Sequence, residues 1–131
     1  MENALSIALE ALGRVESQEI SIHSAASKAA QHLGVTDKTV IAQARLLVRN
    51  VLYRKNFIDK VLDLALTPLS RKTFNRATHS FLRIFVFKTM FTHQSPEEAV
   101  SLAKAGRSIL GWKNLLPVEE ALGKMEALLI G

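Results

Sequence analysis

The chain has 131 residues, of which 48% are hydrophobic and 22% are charged. This length and composition predict one folded domain, residues 1–131, with a sizeable core. Cysteine is absent, which excludes a disulfide framework, a thiolate metal site and a cysteine nucleophile in these residues. The longest runs without a charged side chain have eight residues, as at 89–96, well short of the roughly 20 that span a membrane. With no basic leader at the N-terminus, the sequence predicts a cytoplasmic protein without a membrane partner.

Positive charge is concentrated in the middle of the sequence. Residues 1–37 carry a net charge of −3, residues 38–88 carry +9, and residues 89–131 carry −1, with histidine taken as neutral. A basic block of this density predicts a surface for a polyanion such as RNA. The alternative is a solvated basic face that has no partner.

Helical periodicity governs the first third of the chain. Apolar residues recur at spacings of three and four, and no segment alternates apolar and polar residues as a strand would. Helices are expected at about 3–15 and about 21–33. Ser21 is the expected N-cap of the second, and Gly34 supplies the left-handed residue that closes it.

A third helix is expected after a cap at Thr36 or Asp37, followed by a bend at 53–56 and a fourth helix that ends before Pro68. The apolar stripe of the third helix contains Ile41, Ala44, Leu47, Val48 and Val51. The apolar residues of the fourth are Phe57, Val61, Leu62 and Leu66. A polar loop is expected at 69–75.

The helix expected at about 76–92 is apolar almost all round, which is typical of a helix surrounded by others. Its apolar residues are Phe81, Leu82, Ile84, Phe85, Val86, Phe87, Met90 and Phe91. Residues 95–98, Ser-Pro-Glu-Glu, form a capping box for a helix that runs to about 109, with Gly106 as a point where it could bend. A last helix is expected from Pro117. The predicted fold is an all-α bundle of six to seven helices around this apolar helix.

Signals for catalysis are weak. The four histidines, His23, His32, His79 and His93, lack metal-ligand spacing and are expected at the surface or its boundary. Asp59 and Asp63 share a helix face, and ion pairing of these carboxylates with Lys55 and Lys60 is favoured over a role in general acid–base catalysis. No glycine-rich phosphate loop is present. We therefore expect no cofactor, no metal and no enzymatic activity from this chain alone.

The basic residues follow an ordered spacing. Lys38, Arg45 and Arg49 are separated by seven and four positions, which places them within about 40° of one another on a helix. A stripe of this kind can follow a phosphate backbone. The candidate RNA-binding residues are Lys38, Arg45, Arg49, Arg54, Lys55, Arg71, Lys72 and Arg76.

Three further residues carry two interpretations each. Arg83 lies on one helix face with Arg76 and His79, so it could join the basic surface, or it could be a buried arginine with a carboxylate or carbonyl partner. Tyr53 and Trp112 could stack on bases, although packing is the commoner role of an isolated aromatic residue.

Three segments resemble NusB-like domains in order and spacing. They are "ARLLVRNVLYRKNFIDKVLDLAL" at 44–66, "FLRIFVFKTMF" at 81–91 and "SPEEAVSLAKAG" at 95–106. The resemblance implies an all-helical RNA-binding module. Such domains occur as free transcription antitermination factors, which bind RNA with a small ribosomal protein, and as N-terminal domains of RNA 5-methylcytosine methyltransferases of the RsmB type.

The sequence differs from the antitermination factor in two regions, and both differences help to decide between that factor and a methyltransferase domain. Residues 1–20 contain one arginine, Arg14, against four glutamates, whereas the antitermination factor usually opens with an arginine-rich helix. The C-terminal sequence 115–131 also differs from that factor's last helix. Both departures favour a module of an rRNA or tRNA methyltransferase whose S-adenosylmethionine-binding catalytic domain is absent from this chain. The alternatives are an antitermination factor and a protein-interaction domain without an RNA role.

Overall fold

The structure is a computed structural model that describes residues 2–65, 76–92 and 94–110. These residues form six helices and no strand: α1 (Glu2–Gln18), α2 (Ile22–Leu33), α3 (Lys38–Tyr53), α4 (Lys55–Ala65), α5 (Arg76–Phe91) and α6 (Pro96–Leu110). The predicted all-α class is therefore confirmed. The stop at Pro68, the loop at 69–75 and the helix from Pro117 lie outside the described residues.

The chain divides into two compact units, Met1–Tyr53 and Arg54–Gly131. Within the first, α1, α2 and α3 each pack against the other two. The large buried side chains of this unit come from α1 and α3 and include Ile7, Leu12, Val48 and Val51. The buried face of α2 consists instead of four alanines, Ala25, Ala26, Ala29 and Ala30. The prediction of one domain stays a prediction.

The ends of α2 confirm the expected caps. Ser21 Oγ accepts a hydrogen bond from the Ser24 N–H at 3.1 Å. At the other end Gly34 has φ 71°, and the Val35 N–H donates to the Ala30 carbonyl at 2.9 Å. Because this left-handed conformation is costly for a residue with a Cβ, the glycine fixes where α2 stops.

Asp37 is the residue that caps α3. Its Oδ1 accepts hydrogen bonds from the backbone N–H groups of Thr39 at 2.9 Å and Val40 at 3.4 Å. Helix α3 ends at Tyr53 and α4 begins at Lys55, which confirms the expected break at 53–56. Of the predicted apolar stripe of α3, the central members Ala44, Val48 and Val51 are buried and the others are half-buried.

In the second unit α5 packs against both α4 and α6. Its residues 80–82 and 84–87 are buried, so the expected central position holds within this unit. The expectation was wrong in the last turn, where Met90 and Phe91 are exposed. On α4 Phe57 is exposed, and Ile58, Val61 and Leu62 provide the buried face.

The capping box of α6 is confirmed in both directions. Ser95 Oγ accepts from the Glu98 N–H at 3.1 Å, and Glu98 Oε1 accepts from the Ser95 N–H at 3.2 Å. The helix then continues through Gly106 to Leu110. Gly106 is buried, and a Cβ at this position would overlap the ring of Phe81 on α5. The glycine therefore lets the backbone of α6 approach α5 closely.

We expect Gly106→Ala to lower the free energy of unfolding by about 1–2 kcal/mol. Overpacking a core typically costs about 1–3 kcal/mol, and overlap with three ring atoms of Phe81 belongs in the upper part of that range, about 2–3 kcal/mol. The better helix propensity of alanine returns about 1 kcal/mol. The measurement is urea unfolding followed by circular dichroism. Ser108→Ala, at an exposed position of the same helix, is the matched control and should stay within about 0.5 kcal/mol of the parent. A Gly106→Ala protein as stable as the parent would contradict the close approach.

Candidate nucleic-acid interface

Three predicted RNA-binding residues lie on one face of α3. Lys38 and Arg49 are exposed and Arg45 is half-buried. This face lies roughly 100° around the helix from the buried residues Ala44 and Val48, because each residue advances the helix by 100°. We call these three residues the α3 stripe. Burial of the apolar face against α1 and α2 fixes the direction in which the stripe points.

Arg45 is held in place by a residue of the neighbouring helix. Its Nη1 lies 3.2 Å from Nδ1 of His23 on α2. Arginine can only donate, so Nδ1 of His23 accepts, which requires the neutral ring with its proton on Nε2. Sequence reasoning missed this contact because the two residues are 22 positions apart and no periodicity connects them.

The helix that carries the α3 stripe and the helix that carries His23 have no negative charge of their own. Helices α2 and α3 contain no acidic residue, and the single one between them is the capping Asp37. Glu10 on α1 is occupied, since it accepts from Arg14 Nε at 3.1 Å and lies 2.6 Å from Nδ1 of His32. The first unit therefore presents cations on α3 and keeps this carboxylate engaged between α1 and α2.

Arg54, in the second unit, has a different environment from the one expected. Its guanidinium carbon lies 5.6 Å from the ring centroid of Phe87 and 4.9 Å from that of Phe91. At these distances the charge is attracted to the faces of the rings. Lys55 follows as the first residue of α4 and is half-buried.

Arg76 is exposed at the start of α5, whereas Arg54 contacts the last turns of the same helix. At 1.5 Å per residue, the 11 positions from Arg76 to Phe87 correspond to roughly 16 Å. The structure therefore does not bring these two cations together. Arg71 and Lys72 lie outside the described residues.

Of the two interpretations of Arg83, a member of the basic surface or a buried arginine with a partner, the structure supports the second. Its Nε donates to Asp59 Oδ1 at 3.0 Å and its Nη2 to Oδ2 at 3.3 Å, with side chains only 11% and 26% exposed. This bidentate pair takes Arg83 out of a basic stripe with Arg76. It also corrects the expected pairing of Asp59, which joins Arg83 on another helix instead of Lys55 one turn away.

The exposed aromatic and histidine side chains complete the inventory of predicted residues. Tyr53 is 85% exposed, which does not fit the packing role that is the commoner of its two interpretations. His23 and His32 are exposed and His79 is half-buried, as expected. Trp112 and His93 lie outside the described residues.

Two further properties concern the described residues only. Among them, no group of three or more histidine and acidic side chains is arranged to hold a metal ion. None of the six helices is long and apolar enough to cross a membrane.

The fold and these contacts define an all-α protein with separate clusters of basic residues in its two units. Comparisons with known proteins add no relatives: no protein-family model, no curated protein and no solved structure matches the chain. The resemblance to NusB-like domains therefore rests on the three sequence segments alone and stays a prediction.

We expect Arg83→Ala to lower the free energy of unfolding by about 1–3 kcal/mol, because it leaves the Asp59 carboxylate without its donor in a mostly buried place. The measurement is thermal and urea unfolding. Lys60→Ala, an exposed cation on α4, is the control and should change stability by less than about 0.5 kcal/mol.

A double-mutant cycle with Asp59→Ala separates the pair from other effects. The double variant should lose less stability than the sum of the two single variants, since neither charge is then left without a partner. If Arg83→Ala unfolded like the parent but lost RNA binding, Arg83 would belong to the binding surface and not to the core.

Proposed function

We propose that this chain is an RNA-binding, NusB-like module that helps an RNA 5-methylcytosine methyltransferase engage rRNA or tRNA. The observation that carries the RNA-binding part is the α3 stripe, three cations on one face of a helix that contains no acid. Lysine and arginine in such a stripe neutralise phosphates and release counterions, which gives affinity without sequence readout. Support for the methyltransferase setting comes from the sequence resemblance.

The hydrogen bond from Arg45 to His23 supports the same function. An arginine side chain loses rotamer freedom when it binds a phosphate, and that loss costs free energy. Because His23 already restrains Arg45 at 3.2 Å, part of that cost is met in the free protein. Lys38 and Arg49 add charge on the same face without such restraint.

We expect the double variant Arg45→Ala/Arg49→Ala to bind structured RNA more weakly while it unfolds like the parent. Each lost phosphate contact should reduce the slope of log K against log salt by about one unit, with little change in sequence preference. The measurement is fluorescence anisotropy of a labelled RNA hairpin from about 50 to about 200 mM salt.

The matched control is Lys60→Ala/Lys104→Ala, which removes the same charge from two exposed positions of the second unit. It should leave the slope close to that of the parent. Equal losses in both double variants would show a response to net charge alone, and the α3 stripe would then be the wrong surface. A parent protein without detectable RNA binding at low salt would overturn the proposed function itself.

A further inference from the structure

The two histidines of α2 contact oppositely charged partners. His23, in the first turn, has its Nδ1 3.2 Å from Nη1 of Arg45 on α3. His32, in the last turn, has its Nδ1 2.6 Å from Oε1 of Glu10 on α1. The same ring atom therefore meets a cation at one end of α2 and an anion at the other.

The two contacts require different protonation states of the imidazole. A guanidinium has only N–H donors, so Nδ1 of His23 must accept, and it can do so only while the ring is neutral. A carboxylate accepts, so Nδ1 of His32 donates to Glu10, and a protonated ring keeps that hydrogen bond and adds charge attraction. Protonation of both histidines therefore breaks the contact with Arg45 and strengthens the contact with Glu10.

Charged residues lie on each element next to His23. They are Arg45 and Arg49 on α3, Glu16 on α1, Glu19 in the connection from α1 to α2, and Lys28 on α2 itself. In the described contacts Arg45 is the one of these within hydrogen-bond distance of the ring. The ring is exposed, so it exchanges protons with water while Arg45 is in place. The pH of the solution therefore decides whether His23 holds Arg45.

Loss of this hydrogen bond changes the α3 stripe in two ways. The guanidinium of Arg45 is no longer drawn towards α2, because two side chains that have only donors and carry the same charge repel each other. The protonated ring of His23 also places one further positive charge beside the three cations of the stripe. The first change alters how well Arg45 is prepared for a phosphate, and the second alters how many phosphates are neutralised.

These two changes affect different measured quantities. The restraint on Arg45 contributes to the affinity at any one salt concentration, because it concerns the ordering of a side chain. The number of neutralised phosphates sets the slope of log K against log salt. An added cation therefore has its own signature, which the loss of the restraint does not obscure.

We propose that His23 is a pH-sensitive switch on the α3 stripe. The neutral ring holds Arg45 against α2, and the protonated ring releases Arg45 and becomes a fourth cation of the RNA-binding surface. This proposal rests on the proposed function, because it names the regulation of that same site. Histidine is the side chain that ordinarily changes charge between about pH 5 and about pH 8, so the experiments span that interval.

The first test uses the full chain without RNA. Nuclear magnetic resonance follows the ring protons of His23 and the carbon signal of Arg45 Cζ from about pH 8 to about pH 5. Both signals should change with the same midpoint in the parent. In His23→Gln a neutral amide oxygen accepts from Arg45 at every pH, so the Cζ signal should stay constant. A Cζ signal that ignores the titration of His23 in the parent would overturn the switch.

The second test measures anisotropy of a labelled RNA hairpin at about 50 to about 200 mM salt, at both ends of the pH interval. The slope of the parent should be steeper at the acidic end by about one unit, and His23→Gln should have the same slope at both ends. His32→Gln is the matched control and should keep the increase of the parent, because Glu10 neutralises the charge of His32. Circular dichroism melts of both variants at each pH show whether they fold.

The outcomes separate the switch from the function. If the parent binds RNA with the same slope at both ends of the pH interval, the switch is wrong and the proposed function stands. If His23→Gln keeps the increase and His32→Gln loses it, His32 is the titrating residue and the assignment to His23 is wrong. If Arg45 follows His23 but the parent binds no RNA at low salt, the proposed function fails although the contact responds to pH.

Discussion

The second unit is organised by the need to keep water away from α5. A helix with phenylalanine, isoleucine, leucine and valine on nearly every side cannot face solvent at low cost, so its neighbours must cover it along most of its length. This requirement explains two otherwise unrelated features. Gly106 on α6 removes the side chain that would collide with Phe81, and Asp59 on α4 supplies the carboxylate that Arg83 needs once it is mostly buried. In the last turn of α5, which the neighbouring helices leave partly uncovered, Phe91 is exposed.

The basic residues of segment 38–88 have different surroundings, although each contributes the same formal charge. Lys38 and Arg49 extend into solvent, and Arg45 is hydrogen-bonded to a histidine. Arg54 lies on aromatic rings, and Arg83 is neutralised by a carboxylate. Since a polyanion responds to accessible, uncompensated charge, the net charge of a segment overstates what its surface offers to RNA.

Local features of this protein could be predicted from sequence, and contacts between helices could not. The caps at Ser21, Gly34 and Ser95 were predictable because each depends on a few adjacent residues. The buried faces of α3 and of most of α5 followed from periodicity. Periodicity identifies which side of a helix is buried but not which helix covers it. It therefore could not pair His23 with Arg45 or place Arg54 over Phe91.

The alanine face of α2 sets how far a side chain must reach from that helix to its neighbour. The distance between two packed helices depends on the size of the side chains between them, and a row of methyl groups keeps it short. A short span favours a short, stiff partner with few rotatable bonds, such as an imidazole, over a long carboxylate or amide. The alanine side chains of α2 also lose no rotamer entropy on burial, since alanine has none to lose. The four buried alanines of α2 therefore help to bring the imidazole of His23 within hydrogen-bond distance of the arginine of α3.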